Sequence, residues 1–219
     1  MFKQGLFLLL AVIFGIVAVL FSGNATKETG HGHGKPSKWP GRNNTVLFMS
    51  NAEHGLANVL LATSHALITS HPDLEVSFAT FPSLAADIST ISKSSSKPNP
   101  INFYEFKGQT YGDALKAQGH AIQESINAPG LSGLPMLCSN IQKFLMPWGA
   151  EEYLFLYHES LKFLEELDPI IVAVDPLFGP GMDAIRATGR NHVIISPNSL
   201  KDNFVDKQPW LSMLWKYPA

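Results

Sequence analysis

The stretch "VLFMSNAEHGLANVLLATSHALITSHPDLEVSFAT" (residues 46–80) decides the predicted fold. A short apolar run at residues 45–50 is followed by apolar residues at helical spacing through residues 55–70 and by an alternating pattern at residues 74–80. A strand, a helix and a second strand in this order form a βαβ unit, in which the strands are parallel and the crossover is right-handed. We therefore expect a parallel sheet to begin here.

The rest of the chain continues the alternation of short apolar runs with longer helical patterns. Such alternation predicts an α/β fold, a Rossmann-like doubly wound parallel sheet over residues 45–219. In the common strand order 3-2-1-4-5, the first and fourth strands are neighbours, and ligands bind beyond their carboxyl ends. A Gly- and Pro-rich break is expected at residues 128–135. We predict further strands at residues 101–106, 169–174 and 192–196, and helices at residues 83–90, 113–126, 151–167 and 179–188.

The N-terminus carries an uncharged apolar run at residues 6–21. Its length fits a cleaved signal peptide or a retained membrane anchor, so residues 1–25 are predicted as a targeting or membrane helix and residues 26–44 as a linker. We expect the following domain to lie in the lumen of the endoplasmic reticulum or endomembranes, where Asn24 and Asn43 would be glycosylation acceptors. Basic residues after the apolar run favour the opposite orientation by the positive-inside rule.

The composition excludes some classes of function. A net charge of −2 and a pI of about 6.4 give no electrostatic reason to expect a nucleic-acid partner. The single cysteine, Cys138, cannot form an intramolecular disulfide and is expected to be a buried structural thiol. His31 and His33 lie in the predicted linker and are too few for a firm site, so no metal is expected.

Two polar residues follow the strands that should meet at the switch point of the sheet. His54 follows the first strand and Asp175 follows the fourth, so the expected strand order brings them close together. A carboxylate that accepts a hydrogen bond from an imidazole fixes its tautomer and makes the other nitrogen a better base. No G-x-S-x-G nucleophile is present. Such a dyad would therefore deprotonate a hydroxyl of the substrate.

Plainer interpretations stay open for the same residues. A single loop histidine is more often simply solvated, and Asp175 precedes Pro176 and a helix start, so it would also suit a helix cap. The aromatic residues of the middle segment would suit an apolar ligand, but each also suits ordinary core packing. These residues are Phe103, Tyr104, Phe106, Tyr111, Phe144 and Trp148.

The opening stretch and "DPIIVAVDPLFGPGMDAIRATGRNHVIISPN" (residues 168–198) resemble two-domain UDP-glycosyltransferases of the GT-B type, particularly fungal ones. The resemblance covers the N-terminal, acceptor-binding domain of that family and is thin between residues 101 and 149. It implies inverting transfer of a hexose from a UDP-sugar to a lipophilic hydroxyl acceptor. His54 matches the family's base and Asp175 the aspartate that supports it. Acceptor contacts are expected from Glu53, Phe144 and Trp148.

Two departures from the family pattern bear on function. Glu53 stands where the family often has Gly, and Ala57 where it often has Pro. The donor signature H-x-G-x-x-S is absent from the chain, so the UDP-sugar, a co-substrate rather than a cofactor, has no expected site here. We expect the chain alone to bind an acceptor and to transfer nothing measurable. The alternatives are a membrane-anchored subunit that recruits a separate donor-domain subunit, or a catalytically silent binding module.

Overall fold

The computed structural model describes residues 41–94, 101–120 and 130–198, all within the compact unit Ser37–Ala219. Strands and helices alternate along these residues, as the sequence pattern predicts. The strands are β1 (Arg42–Met49), β2 (Glu75–Thr80), β3 (Asn102–Glu105), β4 (Pro169–Val174) and β5 (His192–Ile194). The helices are α1 (His54–Ser70), α2 (Ala85–Ser94), α3 (Tyr111–Ala117), α4 (Leu134–Leu145), α5 (Ala150–Leu167) and α6 (Gly179–Thr188).

The strands form one sheet in the order β3-β2-β1-β4-β5, and every neighbouring pair is parallel. This topology confirms the predicted doubly wound sheet and the adjacency of the first and fourth strands. Met49, the last residue of β1, lies opposite Val174, the last residue of β4. The two strands end level, so the loops that follow them emerge side by side at the carboxyl edge of the sheet.

The central strands are apolar on both faces because helices or loops cover both sides of the sheet. Leu47, Phe48 and Met49 of β1 and Val172 of β4 are fully buried. Further aromatic rings lie where strands end: Phe81 follows β2, Phe106 follows β3, and Phe178 lies shortly after β4. Their ring centroids are 5.0 to 6.3 Å apart. These packed rings support the loops at the carboxyl edge.

Helix α4 is absent from the sequence-based prediction, which treated residues 128–135 as a break. Among the described residues of this segment, Gly130–Gly133 form a 3₁₀ helix and α4 begins at Leu134, with Pro135 in its first turn, where a missing N–H costs no hydrogen bond. The expectation that Cys138 is buried is wrong. It lies exposed on α4, beside the exposed apolar residues Ile141 and Leu145.

Some predicted boundaries move. Helix α3 begins at Tyr111, two residues before its predicted start, because the Thr110 side chain accepts a hydrogen bond from the Asp113 N–H and caps the first turn. Strand β1 begins at Arg42, so Asn43 lies in the strand and not in the predicted linker.

Asn24 and the predicted hydrophobic segment, residues 1–25, lie outside the described residues. Among the helices that are described, none has the length and apolar character needed to span a bilayer.

Candidate functional site

The loops after β1 and β4 are joined by hydrogen bonds at the carboxyl edge. The backbone N–H of Asn51 donates to Oδ2 of Asp175 at 3.4 Å, and the backbone N–H of Asp175 donates to the carbonyl of Met49 at 3.1 Å. The β1–α1 loop then leads directly into α1, whose first residue is His54. A carboxylate on one strand therefore holds the loop that carries the predicted base on the neighbouring strand.

Asp175 is fully buried and its carboxyl group accepts several hydrogen bonds. Oδ1 accepts from the Leu177 N–H at 2.8 Å, Oδ2 accepts from the Asn51 N–H, and the Ser50 hydroxyl also donates to the carboxyl group. Burial raises the pKa of Asp175 and outweighs the lowering by these hydrogen bonds. With a smaller rise from the nearby Glu53 carboxylate, the pKa is about 6. The group therefore changes its charge close to neutral pH.

The helix-cap interpretation of Asp175 does not describe what the side chain does. Phe178 occupies the N-cap position of α6, and no side-chain hydrogen bond caps this end of the helix. Asp175 instead bonds the N–H two residues ahead, in the manner of an Asx turn, and the N–H of Asn51 across the sheet edge. It fastens two loops together and does not cap a helix.

His54 is exposed at the first position of α1. The hydrogen bonds to the Asp175 carboxyl come from Leu177, Asn51 and Ser50, and His54 is not a partner within the described part of the chain. The fold thus brings the two predicted site residues to the same edge without joining them. The His54 imidazole is exposed and the Asp175 carboxyl is buried, and the assignment of the pair as a catalytic dyad stays a prediction.

Glu53 and Tyr111 bring further polar groups to this edge. Glu53 is half-buried at the N-cap position of α1, and its Oε1 approaches within 3.0 Å of the point where a Cβ on Gly112 would lie. Desolvation raises the pKa of Tyr111, and the carboxylates of Glu53 and Asp175 raise it further. The phenol therefore stays protonated at neutral pH, and its hydroxyl donates to the carbonyl of Phe144 at 2.5 Å.

Trp148 lies beside this group as a packed side chain. It is 5% exposed, its indole N–H donates to the carbonyl of Gln109 at 2.9 Å, and its ring meets Tyr111 and Phe178 edge-on at 5.8 and 6.1 Å. Phe144 is partly buried against the same core. These contacts fit the core-packing interpretation of Trp148, and the acceptor-contact assignment of Glu53, Phe144 and Trp148 stays a prediction.

Sequence reasoning missed Ser50 and Asn51. Both are fully buried polar residues directly after β1, and both bond the Asp175 carboxyl. The side-chain carbonyl of Asn51 accepts from the Glu53 N–H at 2.9 Å, whereas its amide nitrogen has no hydrogen-bond partner among the described residues. The available signal was a polar pair immediately after a wholly apolar strand, at the edge where ligands bind.

We expect Asp175 to make protein stability depend on pH. Its pKa is about 6 in the folded protein against an ordinary value of 3.8. Because the folded pKa is raised, the contribution is fully present below the unfolded pKa and is lost as pH rises through the folded one. The loss amounts to about 3 kcal/mol. Asp175→Asn cannot ionise, so its unfolding free energy minus that of the wild type should rise by most of this amount, about 2.4 kcal/mol, between about pH 4 and about pH 7.

Urea unfolding of both proteins across this pH range measures that difference. Any constant offset caused by the altered hydrogen bonds of the amide cancels, because only the change with pH is compared. A difference that does not vary with pH would contradict the assignment of a raised pKa to Asp175.

Comparison with known proteins places the chain among glycosyltransferase-like sequences. No family model matches it. It is 29% identical over 186 residues to the glycosyltransferase SdnJ of Sordaria araneosa, a match that covers 80% of this chain and 36% of that protein. The match confirms the resemblance to fungal glycosyltransferases, and the chain spans about a third of the length of that relative.

Solved glycosyltransferases also match the structure. The glycotransferase of kitacinnamycin gives a TM-score of 0.45 at 13% identity, covering 77% of this chain and 33% of its own. SsfS6, a glycosyltransferase of Streptomyces sp. SF2575, gives a TM-score of 0.46 at 14% identity. The match covers 68% of this chain and 38% of the SsfS6 chain. At TM-scores this low, the fold assignment rests on the sheet topology itself.

Proposed function

We propose that this glycosyltransferase-like chain provides the acceptor side of a sugar transfer, in which a hexose passes from a UDP-sugar to the hydroxyl of a lipophilic acceptor. The hydrogen bond between the Asn51 N–H and the buried Asp175 carboxyl carries the proposal, because it holds the loop bearing His54 at the ligand-binding edge of the sheet. The likeness to a fungal glycosyltransferase supports the same reaction class.

In the proposed mechanism, the imidazole of His54 takes the proton of the acceptor hydroxyl while the oxygen attacks the anomeric carbon of the sugar. The bond from that carbon to the diphosphate breaks on the opposite face, UDP leaves as the anion, and the anomeric configuration inverts. We assign to ionised Asp175 the stabilisation of the positive charge on the imidazolium, the role of the carboxylate in a histidine–aspartate pair. It also keeps the β1–α1 loop in place through Asn51.

The lipophilic nature of the acceptor comes from the family resemblance. Tyr111, Trp148 and Phe178 pack edge-on against one another close to the candidate site, but they are buried in the core and offer no exposed ring to a ligand. Their proposed part is to exclude water from the neighbourhood of the proton transfer.

The proposal is tested in a chimera in which residues 45–198 replace the corresponding residues of the Sordaria araneosa relative. The assay then does not depend on how much of a transferase this chain contains. With a radiolabelled α-linked UDP-hexose and a panel of lipophilic alcohols, we expect label in the organic phase and a β-linked product by NMR.

The unmodified relative is assayed in parallel to establish that its donor half uses the chosen UDP-hexose. With a UDP-hexose that the unmodified relative transfers, a chimera that folds by circular dichroism, yet transfers no label to any alcohol of the panel, contradicts the proposed function. Retention of the α configuration in the product contradicts the inverting mechanism alone.

A further inference from the structure

Helix α4 carries a stripe of exposed, mostly aliphatic side chains. Four of its residues recur at intervals of four, three and four and therefore lie within about 60° of the helix circumference. These residues, here called the α4 stripe, are Leu134, Cys138, Ile141 and Leu145. The three aliphatic members are 46%, 46% and 53% exposed, and the cysteine is exposed as well. Only the flank of the stripe is anchored, because Phe144 packs partly against the core.

The opposite side of α4 is largely polar. Ser139 and Lys143 lie there, together with one apolar residue, Met136. Lys143 is the one charged residue in the sequence from residue 130 to residue 149. The helix is thus amphipathic and carries no acidic group that an anionic or neutral lipid headgroup would repel.

The chemistry of the α4 stripe suits lipid better than protein. Stable protein interfaces rely on Trp, Tyr and Arg anchors and bury roughly 800 Å² on each partner. The stripe contains none of these anchors, and four part-exposed side chains offer far less area. It also has no charged group that would select one protein from another. Acyl chains need neither anchors nor charges, because apolar surface alone binds them.

A second apolar segment of the chain suits the same kind of surface. The uncharged run at residues 6–21, predicted above as a targeting or membrane helix, lies outside the described residues. A bilayer contact made by a few side chains is weak by itself, and stable attachment takes two signals. Attachment through that run and the predicted linker, residues 26–44, would raise the effective concentration of the α4 stripe at the bilayer.

We propose that the α4 stripe docks on the surface of a lipid bilayer, with the helix axis along the membrane plane and the stripe among the upper parts of the acyl chains. The carbonyl of Phe144 accepts from the hydroxyl of Tyr111 at 2.5 Å, so α4 is bonded to a residue of the candidate site. Docking would therefore hold that site close to the membrane, where a lipophilic acceptor accumulates. This consequence alone rests on the proposed function.

Cys138 makes a local test possible, because it is the single cysteine of the 219-residue chain and lies in the stripe. The full chain is labelled there with a polarity-sensitive fluorophore and mixed with phosphatidylcholine vesicles. We expect the emission to shift to the blue and quenching by aqueous iodide to fall. Doxyl groups on the lipid acyl chains should quench the label. A label at this position reports on α4 and not on residues 6–21.

The matched control moves the label to the polar side of the same helix. Cys138→Ser combined with Ser139→Cys places it at the neighbouring exposed position, outside the α4 stripe. This label should keep its emission and its quenching by iodide when vesicles are added. The control separates docking of the stripe from attraction of the fluorophore itself to lipid.

Two charge variants ask whether the stripe drives the docking. Ile141→Asp puts a carboxylate into the stripe and should abolish the blue shift of the Cys138 label, because a charge is costly among acyl chains. Ser139→Asp puts the same charge on the opposite side and should leave the shift intact. Circular dichroism checks that both variants keep the helix content of the wild type.

Three vesicle results overturn the inference: no shift of the Cys138 label, equal shifts at the two label positions, or an unchanged shift in Ile141→Asp. Sedimentation equilibrium without lipid supplies a fourth. Self-association that Ile141→Asp abolishes and Ser139→Asp retains would assign the stripe to a second copy of the chain. None of these readouts needs a sugar donor or an acceptor. An inactive chimera with a docked stripe contradicts the proposed function alone, and an active chimera with an undocked stripe overturns this inference alone.

Discussion

Replacing His54 by alanine is expected to lower sugar transfer in the chimera by about 10²- to 10⁴-fold, the usual contribution of a general base. The acceptor hydroxyl must lose its proton as it attacks, and the imidazole is an exposed basic group directly after the loop held by Asp175. Because His54 is exposed at the first position of α1, its removal should leave the fold intact. Initial rates of label transfer measure the effect.

His65→Ala is the matched control. His65 is also exposed and lies on the same helix, several turns from the carboxyl edge of the sheet. Its replacement should leave the rate unchanged, which separates loss of the base from a general effect of removing a histidine from α1. A His54→Ala chimera that works within about twofold of the parent would exclude His54 as the base.

The sheet could be predicted because its signal is local. The β-branched run before Asp175 fits a strand buried on both faces, and the structure gives β4 the predicted bounds, Pro169–Val174. Handedness and strand order then follow from general rules of parallel sheets, which place the ends of β1 and β4 together. The position of the candidate site could therefore be predicted from the sequence.

The hydrogen bonds inside the site could not be predicted from the sequence, because they depend on the direction in which the tertiary structure orients each polar atom. The sequence placed Asp175 near His54, but the structure gives its hydrogen bonds to Leu177, Asn51 and Ser50. No local pattern distinguishes a carboxyl that faces an imidazole from one that faces backbone N–H groups. The unused amide of Asn51 is likewise a property of the folded loop alone.

A buried arginine was also missed, since Arg190 follows a helix-ending glycine and looks like a solvated turn residue. In the structure it lies at the amino end of β4, opposite the candidate site. One guanidinium nitrogen donates to Asp168 at 2.5 Å and to the carbonyl of Pro169 at 3.2 Å, and another donates to the carbonyl of Leu164 at 3.2 Å. Arg190 thus joins the end of α5 to the start of β4.

Arg190→Met is expected to lower the free energy of unfolding by about 3 kcal/mol. The side chain is 3% exposed, so its loss leaves the Leu164 and Pro169 carbonyls without this donor in a region that water does not reach freely. Asp168 is 40% exposed and can be hydrated after the change, which keeps the effect at the lower end for a broken buried pair. Urea unfolding measures the loss.

Arg186→Met supplies the comparison that decides whether burial is the cause. Arg186 lies on α6 and pairs with Asp183 at 3.7 Å, but its side chain is 64% exposed, so its loss should cost less than about 0.5 kcal/mol. The double variant Arg190→Met with Asp168→Asn should lose less unfolding free energy than the two single variants lose together, because the two side chains act through one contact. Similar small losses for Arg190→Met and Arg186→Met would mean that the buried guanidinium does not hold α5 to β4.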